Sequence, residues 1–163
     1  MNIGTTTLMS QFVDKTTGNP GNSAASIRLL IADDQPRSRQ SLEALLTAMR
    51  WSAPSRAHFP IEIVGEANDG QQTVAQVHAL HPDVVVLDLP THDAGNRKGL
   101  SGPKGDGLAT IRAIKRRWPE VRVVVLTLYA TDRAAVLLAG ADAFLLKGCP
   151  TGELLAAVMP ASA

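Results

Sequence analysis

The stretch that most constrains the fold of this chain is Val84-Val85-Val86-Leu87, which lies between Pro82-Asp83 and Asp88-Leu89-Pro90. Its residues are all apolar and mostly β-branched, so the run favours a β-strand that has no polar face. Such a strand must be covered on both sides, as it is in a parallel sheet between helices. Ligands of open α/β sheets bind at the carboxyl ends of the strands, and Asp88 stands at such an end. Asp88 is therefore the first candidate for a reactive side chain.

The remainder of the chain alternates short apolar runs with helical patterns. Further strands are predicted at Ile27–Ala32, Ile61–Gly65, Val121–Leu126 and Ala141–Leu146. Helices are predicted from the spacing of Leu42, Leu45, Leu46 and Met49, of Val74, Val77 and Leu80, of Leu108, Ile111, Ile114 and Trp118, and over Thr131–Ala139 and Glu153–Val158. A loop is predicted over Trp51–Pro60. This strand–helix alternation indicates an α/β fold with a five-stranded, doubly wound parallel sheet.

The domain organisation follows from composition along the chain. Residues 1–26 are polar and rich in Thr, Gly, Asn and Ser, which predicts a flexible N-terminal extension before a domain over 27–160. Residues 89–105 are predicted to be an inserted loop, because their glycines and prolines exclude regular structure. The chain ends a few residues into the last predicted helix, so we expect a stand-alone domain without an appended effector domain.

Composition also limits the classes of function. Hydrophobic residues make up 45% and charged residues 19%, which is typical of a soluble globular domain. The net charge of +1 offers no general attraction for nucleic acid or an anionic membrane. The single cysteine, Cys149, excludes an intrachain disulfide and a cysteine-based metal site. Since there is neither a signal peptide nor an apolar stretch of about 20 residues, we expect a cytoplasmic protein with no membrane partner.

Polar side chains follow four of the predicted strands: Asp33-Asp34, Asp88, Thr127 and Lys147. The carboxyl ends of parallel strands share one edge of a sheet, so these residues are expected to meet. Two carboxylates 4 Å apart repel by roughly 4 kcal/mol at an effective dielectric near 20, and a divalent cation removes that cost. Oxygen ligands in small number suit Mg²⁺ best. Carboxylates, a metal, a lysine and a hydroxyl together indicate phosphoryl transfer onto an aspartate.

Each of these residues also has a structural interpretation. Asp33 and Asp34 could cap the helix that begins near Pro36, and Asp88 could cap a turn. Thr127 could be a hydrogen-bonded hydroxyl at a strand end, and Lys147 an ordinary surface lysine.

The motifs of the chain resemble those of the receiver domain of two-component response regulators, in the NarL/LuxR-type subgroup. The similarity covers residues 27–158 and lies in four stretches: Leu30-Ile31-Ala32-Asp33-Asp34-Gln35-Pro36-x-x-Arg39, Val64-Gly65-Glu66-Ala67-x-Asp69-Gly70, Pro82-Asp83-Val84-Val85-Val86-Leu87-Asp88 and Ala141-Asp142-Ala143-Phe144-Leu145-Leu146-Lys147. Each stretch alone is a weak signal, whereas the four together are specific.

The resemblance implies a flavodoxin-like sheet with the strand order 2-1-3-4-5. It implies that Asp88 is the phosphoacceptor, that Thr127 and Lys147 contact the phosphoryl group, and that Mg²⁺ is held by Asp33, Asp34, Asp88 and the backbone carbonyl of Pro90. It further implies a switch between two states, in which Thr127 moves toward the phosphoryl oxygens and Phe144 turns into the vacated space. Phe144 also fits an ordinary core position.

The same resemblance implies the partners. A sensor histidine kinase would donate the phosphoryl group, and a downstream protein would bind the surface of the fourth helix, fifth strand and fifth helix. No direct nucleic-acid binding is expected, and the short last helix weakens the case for a homodimer through that surface. The chain would be a regulator rather than an enzyme, with at most self-phosphorylation and self-dephosphorylation activity.

The segment after Asp88 departs from the family, because residues 89–105 are longer than the usual connection and carry Arg97, Lys98 and Lys104. Two hypotheses follow: the loop acts as a lid or docking element, or it disturbs the carbonyl ligand at Pro90 and weakens phosphorylation. Two other functions also stay open. One is a pseudo-receiver that binds partners without phosphate, and the other is a Mg²⁺-dependent phosphohydrolase of similar topology.

Overall fold

The computed structural model describes residues 26–52, 61–89, 107–128 and 133–159. In these ranges one parallel sheet has the strand order β2-β1-β3-β4-β5, with β1 at Ile27–Ala32, β2 at Ile61–Ala67, β3 at Val84–Asp88, β4 at Arg122–Thr127 and β5 at Ala143–Leu146. The helices are α1 (Pro36–Ser52), α2 (Gly70–Leu80), α3 (Gly107–Arg117), α4 (Arg133–Leu138) and α5 (Thr151–Val158). The predicted fold class and strand order are confirmed.

The sheet divides the core into two layers, because successive strand residues point to opposite faces. In β3, Val84 and Val86 pack on the side that carries α1 and α5, with Leu46 as a buried contact from α1. Val85 and Leu87 pack on the other side, against α2, α3 and α4. β3 is therefore buried on both faces, as the absence of a polar face in its sequence predicts.

Leu89 extends the core beyond β3. The predicted loop began at this residue, yet Leu89 is buried in the layer that contains α2, α3 and α4. A Cβ atom at Gly107 would collide with the Leu89 side chain, so the glycine allows the start of α3 to approach closely.

Several predicted boundaries were wrong by a few residues. β2 continues past Gly65 to Ala67, because a register shift after Leu29 in β1 lets the two strands keep pairing. α1 runs to Ser52 rather than ending before Trp51, and α3 ends just before Trp118, which still packs against the core.

The last strand and helix also differ from expectation. β5 begins at Ala143, because Asp142 is already used by Val123, with which it exchanges two hydrogen bonds. α5 begins at Thr151 rather than Glu153, since the Pro150 carbonyl accepts the first hydrogen bonds of the helix. Leu45 was assigned to the buried face of α1, but its side chain is 40% exposed.

Some expectations concern other parts of the chain. The N-terminal extension over residues 1–25, the carbonyl of Pro90 and the inserted loop over 90–105 lie outside the described residues, as does the predicted helix start at Thr131. None of the helices in the described part combines the length and apolar character that a bilayer crossing requires.

Candidate functional site

The acidic residues predicted from the strand ends meet at the carboxyl edge of the sheet. β1 and β3 are neighbours with Ala32 opposite Leu87, so the next residues, Asp33 and Asp88, stand side by side. Asp33, Asp34 and Asp88 each offer a carboxylate oxygen, and these atoms all lie within 4.8 Å of one another. The geometry required for a shared ligand is therefore present.

Lys147 reaches this cluster from the position after β5, which is the edge strand on the opposite side of β3 from β1. Its backbone N–H donates to the Thr127 carbonyl at 2.7 Å, which continues the pairing of β4 with β5. Its Nζ atom lies 2.7 Å from Oδ2 of Asp88 and 3.2 Å from Oδ2 of Asp33. A third hydrogen bond, 3.0 Å long, runs from Nζ to the hydroxyl oxygen of Ser38. The lysine thus joins three elements of the fold at one point.

Asp88 is held in an unfavourable electrostatic environment. Its side chain is only 9% exposed, and its Oδ1 atom is buried without a hydrogen-bond partner in the described part of the chain. Burial raises the pKa of Asp88 to about 7, the neighbouring Asp33 adds to the rise, and Lys147 offsets part of it. A carboxylate with an unsatisfied oxygen and a raised pKa gains from any added positive charge.

For Asp33 and Lys147 the favourable contacts outweigh the effect of burial on the pKa, so both side chains stay charged. Burial opposes the ionised form of Asp33, but hydrogen bonds from Ser38 and the Gln35 backbone, together with Lys147, lower its pKa. Burial likewise opposes the charged form of Lys147, yet the hydrogen bond and charge of Asp88, reinforced by Asp33, raise its pKa. The site therefore combines an ionised Asp33, a charged Lys147 and an Asp88 whose pKa of about 7 leaves it partly protonated near neutral pH.

Asp33 also holds the chain just before α1, because its Oδ1 accepts the Gln35 N–H at 2.7 Å. Gln35 precedes the helix, so this bond is a turn ahead of α1 rather than the predicted cap of its first N–H groups. Arg39 in the first turns of α1 supports the same residue: its Nη1 donates to the Asp33 carbonyl at 2.7 Å. Its Nε pairs with Glu66 of β2, also at 2.7 Å. Arg39 and Glu66 occur in the family-like motifs, but the sequence alone assigned neither of them to the site.

The other predicted site residues, Thr127 and Phe144, are described by their positions at the end of β4 and in the core. Thr127 is buried at the end of β4, one position after Leu126, which is the register partner of Asp88. Phe144 is buried in the core layer of α2, α3 and α4, and the Arg133 guanidinium lies 5.8 Å from its ring centre. Ser38 was missed altogether, because a serine in the first turn of a helix is too common to be informative.

The cluster fits a magnesium ion on its own chemistry. The donors are carboxylate oxygens, one of them buried without a partner among the described residues. A cavity of about 40 Å³ adjoins them, lined by Asn68, Asp69 and the buried Thr73 and Thr110. Mg²⁺ keeps several water ligands, and a polar cavity of this size has room for ordered water.

Comparison with known proteins agrees with this geometry. The family model of the response regulator receiver domain matches residues 29–159, so the chain belongs to that family. It is a signalling domain of two-component systems, and such domains are regulators rather than classical enzymes.

Among curated relatives, the response regulator protein VraR of Staphylococcus aureus is 27% identical over 139 residues, covering 84% of this chain and 57% of VraR. The chain thus spans little more than half the length of the curated relatives that it matches.

Two solved structures show the same fold. The signal receiver domain of the response regulator NarL from Mycobacterium tuberculosis is 26% identical with a TM-score of 0.63, covering 82% of this chain and 94% of that one. A chain of the CheX-CheY-BeF3-Mg complex from Borrelia burgdorferi is 22% identical with a TM-score of 0.64, covering 83% and 88%.

Proposed function

We propose that this chain accepts a phosphoryl group on Asp88 from a sensor histidine kinase, with Mg²⁺ as cofactor, and that the modification changes a protein-binding surface. The observation that carries the proposal is the state of Asp88, whose buried Oδ1 lacks a partner in the described residues while Oδ2 faces the Lys147 ammonium. Oδ1 is therefore available to form a new bond. Oδ2 is paired with the Lys147 ammonium, whose positive charge would also stabilise a phosphoryl group.

The transfer is a displacement at phosphorus. An Asp88 carboxylate oxygen attacks the phosphorus of a phosphohistidine, an O–P bond forms, and the N–P bond breaks. The imidazole leaves with the bonding electron pair and takes a proton from solvent. Lys147 then pairs with the phosphoryl oxygens, and Thr127 donates a hydrogen bond to one of them.

The metal ligands would be Asp33, Asp34 and Asp88, together with the backbone carbonyl of Pro90. When bound, Mg²⁺ neutralises the crowded carboxylates and the negative charge of the incoming phosphoryl group. This added charge favours the ionised, nucleophilic form of Asp88, whose pKa is about 7 without it. Beryllofluoride and magnesium are bound in the Borrelia burgdorferi complex named above, which is consistent with such a site.

The response would pass from Thr127 to Phe144. A phosphoryl group adds about −1.5 to −2 charge, which attracts the Thr127 hydroxyl. The movement of Thr127 would leave space into which the Phe144 ring can turn. The surface beside it exposes Leu128, Leu137, Leu138 and Leu146, so it offers apolar area to a downstream protein or to a weak homodimer.

Incubation with acetyl phosphate and Mg²⁺, followed by intact-mass analysis, tests the proposal. We expect one added phosphoryl group on the wild type, none on Asp88→Asn, and full modification of Glu153→Gln, an acidic control at an exposed position of α5. Removal of Mg²⁺ with EDTA should abolish the reaction. An unmodified wild type would favour the pseudo-receiver, and multiple turnover of a small phosphate ester would favour the phosphohydrolase.

The inserted loop is tested by the same assay. Replacing residues 91–104 by a short Gly-Ser connection should leave Asp88 phosphorylation intact or slower if the loop is a lid or docking element. Faster phosphorylation of the shortened protein would instead support the hypothesis that the loop disturbs the carbonyl ligand at Pro90.

A further inference from the structure

Ser38 makes a contact that the family resemblance does not assign. Its hydroxyl oxygen accepts a hydrogen bond from Nζ of Lys147 at 3.0 Å, and the hydroxyl also hydrogen-bonds the Asp33 carboxylate. A serine hydroxyl can donate and accept at once, so Ser38 can serve both partners. With Asp33 and Asp88, Ser38 completes three acceptors for the three N–H donors of the lysine.

The position of Ser38 is determined by the start of α1. Its backbone N–H donates to the Gln35 carbonyl at 3.0 Å, and the Gln35 N–H is itself bound by Asp33 at 2.7 Å. The hydroxyl is therefore attached to the same strand end that presents Asp33. Lys147 comes instead from the turn after β5, at the other side of the sheet.

The other two partners of Lys147 change their chemistry during the proposed reaction. Oxygens of Asp33 and Asp88 that bind a cation become poorer acceptors, and the modified Asp88 loses its carboxylate charge. The ammonium also borders a cavity of about 190 Å³ between α1 and the strand ends, so it has room to move away. Of its three partners, Ser38 is the one that neither binds the cation nor accepts phosphate.

We propose that Ser38 is a positioning residue for phosphoryl transfer, whose hydroxyl keeps the Lys147 ammonium beside Asp88 throughout the reaction. The inference rests on the proposed function of Asp88. It differs from a purely structural role of Ser38 in α1, because the effect of losing the hydroxyl must pass through Lys147.

A double-mutant cycle tests this inference in the full chain. Ser38→Ala should slow modification by acetyl phosphate and Mg²⁺ about 10- to 150-fold, the range expected for one hydrogen bond to a charged group. Ser38→Thr retains the hydroxyl and should stay within about twofold of the wild type. In the background of Lys147→Met, Ser38→Ala should have no further effect on the rate.

A second measurement does not depend on the reaction. Urea unfolding of the wild type, Ser38→Ala, Lys147→Met and the double variant without metal should give non-additive free energies of unfolding, because each single substitution removes the same hydrogen bond. If Ser38→Ala fails to fold, Ser38→Cys takes its place, since a thiol is a weak acceptor.

The outcomes separate the two proposals. A wild type that is not modified overturns both the phosphoacceptor function and the role of Ser38. If the wild type is modified, two results would overturn only the role of Ser38. Either Ser38→Ala reacts as fast as the wild type, or Ser38→Ala slows the reaction equally with and without Lys147. Additive unfolding energies would likewise contradict the contact.

Discussion

Nζ of Lys147 lies 2.7 Å from Oδ2 of Asp88, while Oδ1 of the same carboxylate is buried without a hydrogen-bond partner in the described ranges. One half of Asp88 is thus stabilised and the other half is not. Native proteins rarely leave a buried polar atom unsatisfied, and such atoms mark places where a ligand or ion completes the structure. This asymmetry leads to the predictions below.

Lys147→Met should slow the modification of Asp88 by acetyl phosphate at least about 10-fold, because a charge-assisted contact to the phosphoryl oxygens is lost. Lys115→Met is the matched control. Lys115 pairs with Asp142 away from the site, and its side chain is 20% exposed against 22% for Lys147. We expect Lys115→Met to lower the unfolding midpoint without changing the phosphorylation rate. Equal slowing by both variants would contradict the assignment of Lys147.

Asp88→Asn should remove a pH dependence from the stability of the metal-free protein. The pKa of Asp88 is about 7 in the folded protein against 3.8 for an ordinary aspartate, so the folded state binds more protons between these pH values. Stability of the wild type therefore falls as pH rises from about 4 to 7, with a loss on the order of 2–4 kcal/mol.

Urea unfolding at several pH values measures this difference. We expect Asp88→Asn to match the wild type near pH 4 and to be the more stable protein at pH 8. Excess Mg²⁺ at pH 8 should stabilise the wild type selectively and narrow the gap. Parallel stability curves for the two proteins would show that burial does not shift the pKa of Asp88 as described.

Arg39→Ala should destabilise the protein by about 1–3 kcal/mol, since it breaks charge-assisted bonds to Glu66 and to the Asp33 carbonyl. Arg39→Lys keeps the charge but cannot make both bonds, because lysine lacks the planar fork. We expect both variants to weaken Mg²⁺ binding about 10-fold through the displaced Asp33, as measured by calorimetry. Glu66→Gln, which leaves the bond to Asp33 intact, should have the smaller effect, and the reverse order would contradict this account.

Gly140→Ala should cost about 1–2 kcal/mol, because residue 140 has a φ of 107°, which an L side chain rarely adopts. The Cβ atom of the introduced alanine would also lie 3.2 Å from Cγ of Lys115, which is a close contact. Gly152→Ala is the matched control, since Gly152 lies in α5 with open space around it. Thermal unfolding should show it unchanged or stabilised by up to about 1 kcal/mol. A stabilising Gly140→Ala would contradict the left-handed conformation.

The fold was predictable because its signals are local. The strand β3 has no polar residue before Asp88, and the apolar spacing of α2 and α3 identifies their buried faces. The exact ends of elements were less predictable. β2 reaches Ala67 through a register shift, and Asp142 precedes β5 because Val123 already engages it. Both results depend on a neighbouring strand rather than on the residues themselves.

Sequence alone determined which residues stand at the ends of the strands, because a parallel sheet brings Asp33, Asp34, Asp88 and Lys147 to one edge whatever the helices do. It also determined the family, through motifs that surround those residues. Only the tertiary structure decided that Ser38 and Arg39 belong to the site, and that one oxygen of Asp88 lacks a partner within the described chain. Hydrogen bonding and burial depend on distances between elements far apart in sequence, and no local pattern contains those distances.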